Sequence, residues 1–258
     1  MKVQQVIDII ESVFPLRRQE AWDNSGLQIG NREADVAKVL LCTDVTDKVM
    51  QEAIDKNCGL IVSHHPLLFH GLKIIEGATR EQRCTIQAIR HDIAVYSSHT
   101  AADCCLHGIS GRMAEKLGID DYDFLVPTAV DSGLGVIGNL SQATGFFAFL
   151  DKVKSAFNVL VIKYTAPVHN KVQRIAFCGG AGSEFIGQAI DAHADVYITA
   201  DVKYHEFQAA DSRIALLDIG HFESEQHIKE LMQNLLHTAL PALEVLQAET
   251  DCSPVLTY

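Results

Sequence analysis

Three observations in this sequence predict an α/β fold made of two similar lobes. Short, continuous apolar runs alternate with amphipathic stretches at helical spacing. The second half repeats the pattern of the first. Histidines and acids also gather immediately after the apolar runs, where open α/β sheets bind their ligands.

The opening MKVQQVIDIIESVF has helical spacing, and Asp8 and Glu11 interrupt any apolar export-signal core. VLLCTD reads as a strand, followed by a helix over TDKVMQEAIDKN with Thr46 as its N-cap. LIVS is a buried strand, TIQAIRHD a helix and IAVYSSH a third strand. ISGRMAEKLG is a helix that closes on Gly118. In the second half RIAFCGG, VYITAD and IALLDIGH are strands. SEFIGQAIDAHA, KYHEFQAADS and SEQHIKELMQNLLHTAL are helices, and LEVLQAE follows. Strands apolar throughout point to a mostly parallel sheet covered on both faces.

Aligning the halves at an offset of 136 places Cys42 on Cys178, Ala53-Ile54-Asp55 on Ala189-Ile190-Asp191, and Ser63 on Thr199. At an offset of 122, His99 falls on His221 and Asp103 on Glu225. The expectation is an internal duplication with a metal site in the cleft between the lobes. The first lobe is expected over residues 1–126, joined by the C-terminal segment 229–258, and the second over 127–228, with the break near VPTAVDSG.

Thirty-three acids against 21 Lys and Arg leave a formal charge of −12, which argues against broad nucleic-acid binding. The longest apolar runs are too short for a membrane span, so a soluble cytoplasmic protein is expected. Seven cysteines without a Cys-x-x-Cys pair suggest neither a zinc ribbon nor a thioredoxin-type site. Cys42 and Cys178 read as small buried hydrophobes, and the vicinal Cys104-Cys105 as an improbable redox pair.

His64-His65-Pro66 directly follows a buried strand, and two imidazoles there serve two nearby metals more easily than one. His99-Thr100-Ala101-Ala102-Asp103 and His221-Phe222-Glu223-Ser224-Glu225 also follow strands, each as His-x-x-x-acid. In a helix His221 and Glu225 come to one side, a turn apart. Imidazole nitrogen with carboxylate oxygen suits zinc, iron, manganese or nickel. His205 also follows a strand end, with Asp201 and Tyr204 beside it, and the other histidines, His227 among them, read as surface or loop residues. Trp22-Asp23-Asn24-Ser25-Gly26-Leu27 reads as a turn held by burial of the only Trp. Cys178-Gly179-Gly180-Ala181-Gly182-Ser183 reads as a tight strand-to-helix turn.

In order, WDNSGLQIG, SHHPLLF, SSHTAAD, GLGVIGNL, AFCGGAGSEFI, ADVYITADVKYHE and DIGHFESE resemble the dinuclear-metal hexamer family, whose members are often labelled GTP cyclohydrolase 1 type 2 homologues. The resemblance implies two divalent transition-metal ions per subunit. Its ligand positions fall on His64, His65, Asp103, His221 and Glu225, the residues that spacing also selects. It further implies a homohexamer and opening of the guanine imidazole ring of GTP by metal-activated water. Two departures stand out: Cys104-Cys105-Leu106-His107-Gly108 replaces a Gly-rich helix start, and Ala200 stands where Gly is frequent.

The resulting expectation is a metal-dependent hydrolase acting on a small anionic or nucleotide substrate, with His99 and His205 as assisting residues. The alternative is a non-catalytic metal-binding hexameric scaffold or a regulatory protein. Phe146, Phe147 and Phe149 point to different angles of any helix or strand, so either one side meets another subunit or all three are core residues of the second lobe.

Overall fold

A computed structural model describes residues 1–257. The chain forms two compact units: Met1–Ala102 with Ile228–Cys252, and Asp103–His227 with the residues from Ser253 on. The first unit opens with helix α1 (Val3–Val13), then strand β1 (Gly26–Ile29), β2 (Lys38–Cys42), α2 (Asp47–Asp55), β3 (Leu60–Ser63), α3 (Arg80–Arg90) and β4 (Ala94–Ser97). Helix α2 starts where the sequence indicates, because the Thr46 hydroxyl accepts from Val49 N. Thr79 caps α3 in the same way at Gln82 N. Strands β3 and β4 are buried at every residue, as their apolar runs, closed by Ser63 and Ser97, require.

The short helix α4 (Thr100–Asp103) leads into α5 (Ile109–Lys116), β5 (Tyr122–Ala129), β6 (Ser132–Gly145), α6 (Phe146–Phe157), β7 (Lys163–Tyr164) and β8 (Lys171–Ala181). The second unit continues through α7 (Ile186–Asp191), β9 (Val196–Ala200), α8 (Tyr204–Gln208), β10 (Ala215–Asp218) and α9 (His221–Glu225). The chain then returns to the first unit with α10 (Ile228–Ala239) and β11 (Glu244–Gln247), and α10 packs on α1.

The two sheets share a motif. In the first unit the order is β1-β4-β3-β2-β11, in which β4, β3, β2 and β11 are parallel and β1 runs antiparallel beside β4. In the second the order is β5-β6-β8-β9-β10-β7, in which β8, β9 and β10 are parallel and β7 runs antiparallel beside β10. Three consecutive parallel strands ending on an antiparallel edge strand therefore recur, as the offsets in sequence indicate; in the second sheet β6 also runs antiparallel, beside β8. Leu40, Ile61 and Val95 of the first sheet bury against Val49, Met50 and Ala53 of α2 and against Cys84 and Ala88 of α3. Ala176, Tyr197 and Leu216 of the second bury against Ile186 and Ala189 of α7. Each fully buried aliphatic side chain of this kind contributes about 1.5–3 kcal/mol.

VPTAVDSG is not a linker but the tip of the β5–β6 hairpin, and the first break between units falls at 102/103. The segment before the hairpin is held to the second unit by packing. A Cβ on Gly179 of β8 would run into Ile109 of α5, and Gly133 N donates to Cys104 O at 3.2 Å. Phe146 and Phe149 are core residues, whereas Phe147 is 66% exposed.

Candidate metal centre

In the first unit, backbone pairing continues past the strand ends. His64 N donates to Cys42 O, His65 N to Thr43 O, and Ser98 N to Ser63 O, at 2.9–3.1 Å. The Ser63 and Ser97 hydroxyls share a 2.7 Å hydrogen bond at paired positions of β3 and β4. His64, His65 and His99 therefore emerge from a rim fixed by the sheet itself. Each ring is oriented at Nδ1. His64 is paired with Ser98 O at 3.0 Å, His65 with Asp44 Oδ1 at 3.1 Å, and His99 with Asp23 Oδ1 at 2.7 Å. A carbonyl or carboxylate oxygen accepts, so each Nδ1 carries a proton.

Asp23 lies fully buried. Besides His99 it accepts from Asn24 N, Ser25 Oγ, Thr100 N and the Thr100 hydroxyl. Burial alone would raise its pKa, but the hydrogen bonds from His99 and Thr100 outweigh that and hold it well below the usual carboxylate range. The sequence does not reveal this partnership, because 76 residues separate Asp23 from His99. Trp22 is 60% exposed, so it is not burial of the indole that holds this turn but the hydrogen bonds of Asp23.

In the second unit Gly220, at φ +91°, turns the chain out of β10 and into α9. His221 Nε2 lies 3.1 Å from Glu225 Oε2, one helical turn away as the spacing indicates, and its Nδ1 lies 2.7 Å from Asp201 Oδ2. Gly180, at φ +63°, faces this pair. A Cβ there would collide with Glu225 Oε1 and stand 3.2 Å from His221 Nε2. The glycine-rich segment thus extends β8 and makes room for the Glu225 carboxylate. Ser224 ties the two together: its hydroxyl donates to His221 O at 2.7 Å and accepts from Gly180 N at 2.9 Å. Burial, and then the charges of Asp103 and Glu225, push the Cys178 thiol up to about 12.

These sets fit a metal. Within 4.8 Å of one another lie one ring nitrogen each from His64, His65 and His99, and the second unit supplies an imidazole and a carboxylate in contact. His205 is exposed on α8, its ring 5.2 Å from Tyr204, and lies outside these donor groups. His227, expected at the surface, is buried with its ring 5.2 Å from Phe157. No helix among the described residues is long and apolar enough to cross a membrane.

The chain is similar to known proteins over most of its length. The family model of Duf34/NIF3 (NGG1p interacting factor 3) matches residues 1–254. A "GTP cyclohydrolase 1 type 2 homolog" of Clostridium perfringens is 35% identical over 228 residues, covering 87% of each chain. A protein of the same name from Clostridium acetobutylicum is 33% identical over 244 residues, covering 93% of this chain and 91% of its own. The crystal structure of a Bacillus cereus protein related to NIF3 superposes with a TM-score of 0.90 at 22% identity, covering 100% of this chain and 99% of that one. The two-sheet α/β architecture, the ordered strand-end motifs and these matches together make the chain a member of the Duf34/NIF3 family.

Proposed function

We propose that this protein is a dinuclear-metal-dependent hydrolase that binds two divalent transition-metal ions through His64, His65, Asp103, His221 and Glu225. The observation that carries the reading is the convergence of donors: ring nitrogens of His64 and His65 belong to a group within 4.8 Å, His221 Nε2 lies 3.1 Å from Glu225 Oε2, and an oxygen stands at the Nδ1 of each of the three rings. Such outer partners characterise metal-ligating histidines, and mutating them typically costs ~10–100-fold in metal affinity or activity. Zinc, iron, manganese and nickel all accept this nitrogen and oxygen set. When bound, two such ions supply Lewis acidity and stabilise charge in a hydrolytic transition state.

The chain's own residues hold the donors and admit the substrate. Gly180 leaves space for the Glu225 carboxylate, and Asp201 and Asp44 fix two of the rings. Two dications against two ligand carboxylates leave the centre locally cationic, which suits a small anionic substrate. The name shared by the relatives favours a nucleotide, with opening of the guanine imidazole ring as the specific reaction. A homohexamer is part of the reading, and exposed Phe147 offers it an apolar contact.

The test is a metal-reconstituted screen over GTP, other nucleotides and phosphate esters, with products identified by mass spectrometry. Turnover that disappears with a chelator and returns with metal supports a hydrolase; stoichiometric metal with no turnover supports the scaffold instead. Glu225→Gln is expected to lose metal more severely than His205→Gln. Light scattering behind size-exclusion chromatography tests the assembly, where a dominant 28.3 kDa species would count against the ring.

A further inference from the structure

We propose that Trp22 and Phe69 form a platform that stacks the planar heteroaromatic ring of a nucleobase-class ligand. The only Trp of the chain stands in a turn of the first unit with 60% of its surface exposed, and Phe69 beside it is 40% exposed. Their ring centroids lie 6.0 Å apart at 54°, so neither ring covers the other's face. Aromatic side chains contribute to folding through burial, and this pair forgoes much of it.

The rings are set in place before any ligand arrives. Asn24 Nδ2 donates to Leu68 O at 2.5 Å, and Leu68 N donates to Gln28 Oε1 at 2.8 Å. Gln28 Nε2 donates in turn to Asn24 O at 2.8 Å, so the turn carrying Trp22 and the segment carrying Phe69 are tied to each other. A preset pair loses little freedom on binding. Two rings of about 150–250 Å2 each, partly covered, fall short of the ~800 Å2 a side of a stable protein interface but suit a single base. Every nucleobase offers a π-face, and aromatic side chains stack on it whatever the base. Both rings meet His99 edge-on, at 6.0 and 6.4 Å between centroids and at 73° and 82°. A base seated on the pair therefore lies beside the strand-end histidines, and an anionic substituent on it can reach the proposed cationic centre. To that extent the inference rests on the proposed function and names what holds the base of its substrate; the stacking itself needs no metal.

Because Trp22 is the only indole, its fluorescence reports on the platform alone. The full-length protein is titrated with guanosine in the presence of a chelator, with excitation beyond the nucleoside's absorption. Guanosine should quench the emission saturably and shield the indole from acrylamide, whereas ribose should do neither. Phe69→Ala, which keeps the reporter, should weaken guanosine by about 5–150-fold, as loss of a stacking side chain does elsewhere. Phe69→Leu keeps the bulk without the π-face and repeats the test should the alanine variant fail to fold, with circular dichroism as the check. Trp22→Ala, followed by saturation-transfer NMR of the guanosine base protons, should lose binding to a similar degree, and Trp22→Phe should recover most of it. Quenching that stays linear, as for free tryptophan amide, overturns the proposal, and so does a folded Phe69 variant that binds within about twofold of the parent. An indole already shielded from acrylamide in the unliganded protein would mean that another copy of the chain covers it, and overturns the proposal too. The metal reading survives each of these results; it falls only if the chain binds no transition metal.

Discussion

His99 after β4 and His221 after β10 each present Nδ1 to an aspartate at 2.7 Å, yet the two aspartates live in opposite surroundings. Asp23 is wholly buried and anchors a turn, whereas Asp201 is 57% exposed and sits at the end of β9. The alignment of the halves sharpens the contrast. Asp44, which orients His65, falls on Gly180, whose missing side chain admits Glu225. One topological position thus contributes a carboxylate in the first unit and the room for one in the second. In the first unit the orientation of the strand-end rings is built into the folded core; in the second it is an addition at the surface. Function and stability should therefore be coupled in the first unit and separable in the second.

The largest expected effect breaks that comparison at Asp23. Asp23→Ala strips the acceptor from Asn24 N, Ser25 Oγ, Thr100 and His99 in a buried site. Losing a buried charged partner of this kind costs about 3–5 kcal/mol. For a chain of this size each kcal/mol moves the melting midpoint by roughly 2–4 °C. A metal-free thermal melt that falls by less than about 3 °C would show that Asp23 does not anchor the first unit.

Acid should find the same weakness. Burial pushes the Glu52 pKa up, but hydrogen bonds from Lys56, from the Thr250 hydroxyl and from the backbone of Glu249 and Thr250 outweigh it and bring it to about 2. The folded pKa lies below the ordinary 4.5, so the stabilisation is complete above pH 4.5 and is lost as pH falls from there toward 2. Glu52 fastens the C-terminal segment to α2, at 2.6–2.9 Å from Thr250 and Glu249. A full loss amounts to at most about 3 kcal/mol. Hydrogen exchange at pH 3 should therefore show α2 and β11 opening before β8 and β9. Exchange led by β8 and β9 would refute this order.

Gly180→Ala comes next. Its φ of +63° is strained for alanine, and the new methyl would displace Glu225. Strain of this type costs about 1–3 kcal/mol. The displaced carboxylate should also cut metal loading in the proposed centre, as read by elemental analysis. Unchanged loading would mean that the Gly180 cradle does not serve Glu225.

Much of this was legible in the sequence, for identifiable physical reasons. β3, β4, β9 and β10 are buried throughout, so their residues are apolar up to the last one or two positions and stand out. His221 and Glu225 were legible because helical spacing brings residues four apart together. β5 and β6 were missed, since β5 is mostly solvent-facing and carries Pro127, so VPTAVDSG has the composition of a linker. The carboxylate of each His–Asp pair was also hidden. Asp23 and Asp201 meet their histidines through strand pairing and not local spacing, and a turn such as Asp-Asn-Ser-Gly already has a sufficient local explanation for its aspartate.

The smallest expected effect on stability, and the sharpest test of separability, lies at Asp201. Its side chain is mostly in solvent, where an ion pair or hydrogen bond is worth about 0–1 kcal/mol. Asp201→Ala should therefore leave the metal-free melting midpoint within about 2 °C of the parent. The same substitution removes the oxygen that fixes the His221 tautomer, so metal affinity should fall by about 10–100-fold. Asp201 itself takes φ +54°, a left-handed conformation that alanine tolerates less well, so Asp201→Asn is the cleaner companion because asparagine accepts that backbone readily. Its amide oxygen can still accept from Nδ1, without the charge. The expected order of affinity is parent, then Asp201→Asn, then Asp201→Ala, with the three melts superimposed. Melts that separate in step with affinity would make the second unit's strand end as structural as the first, and the contrast between Asp23 and Asp201 would collapse.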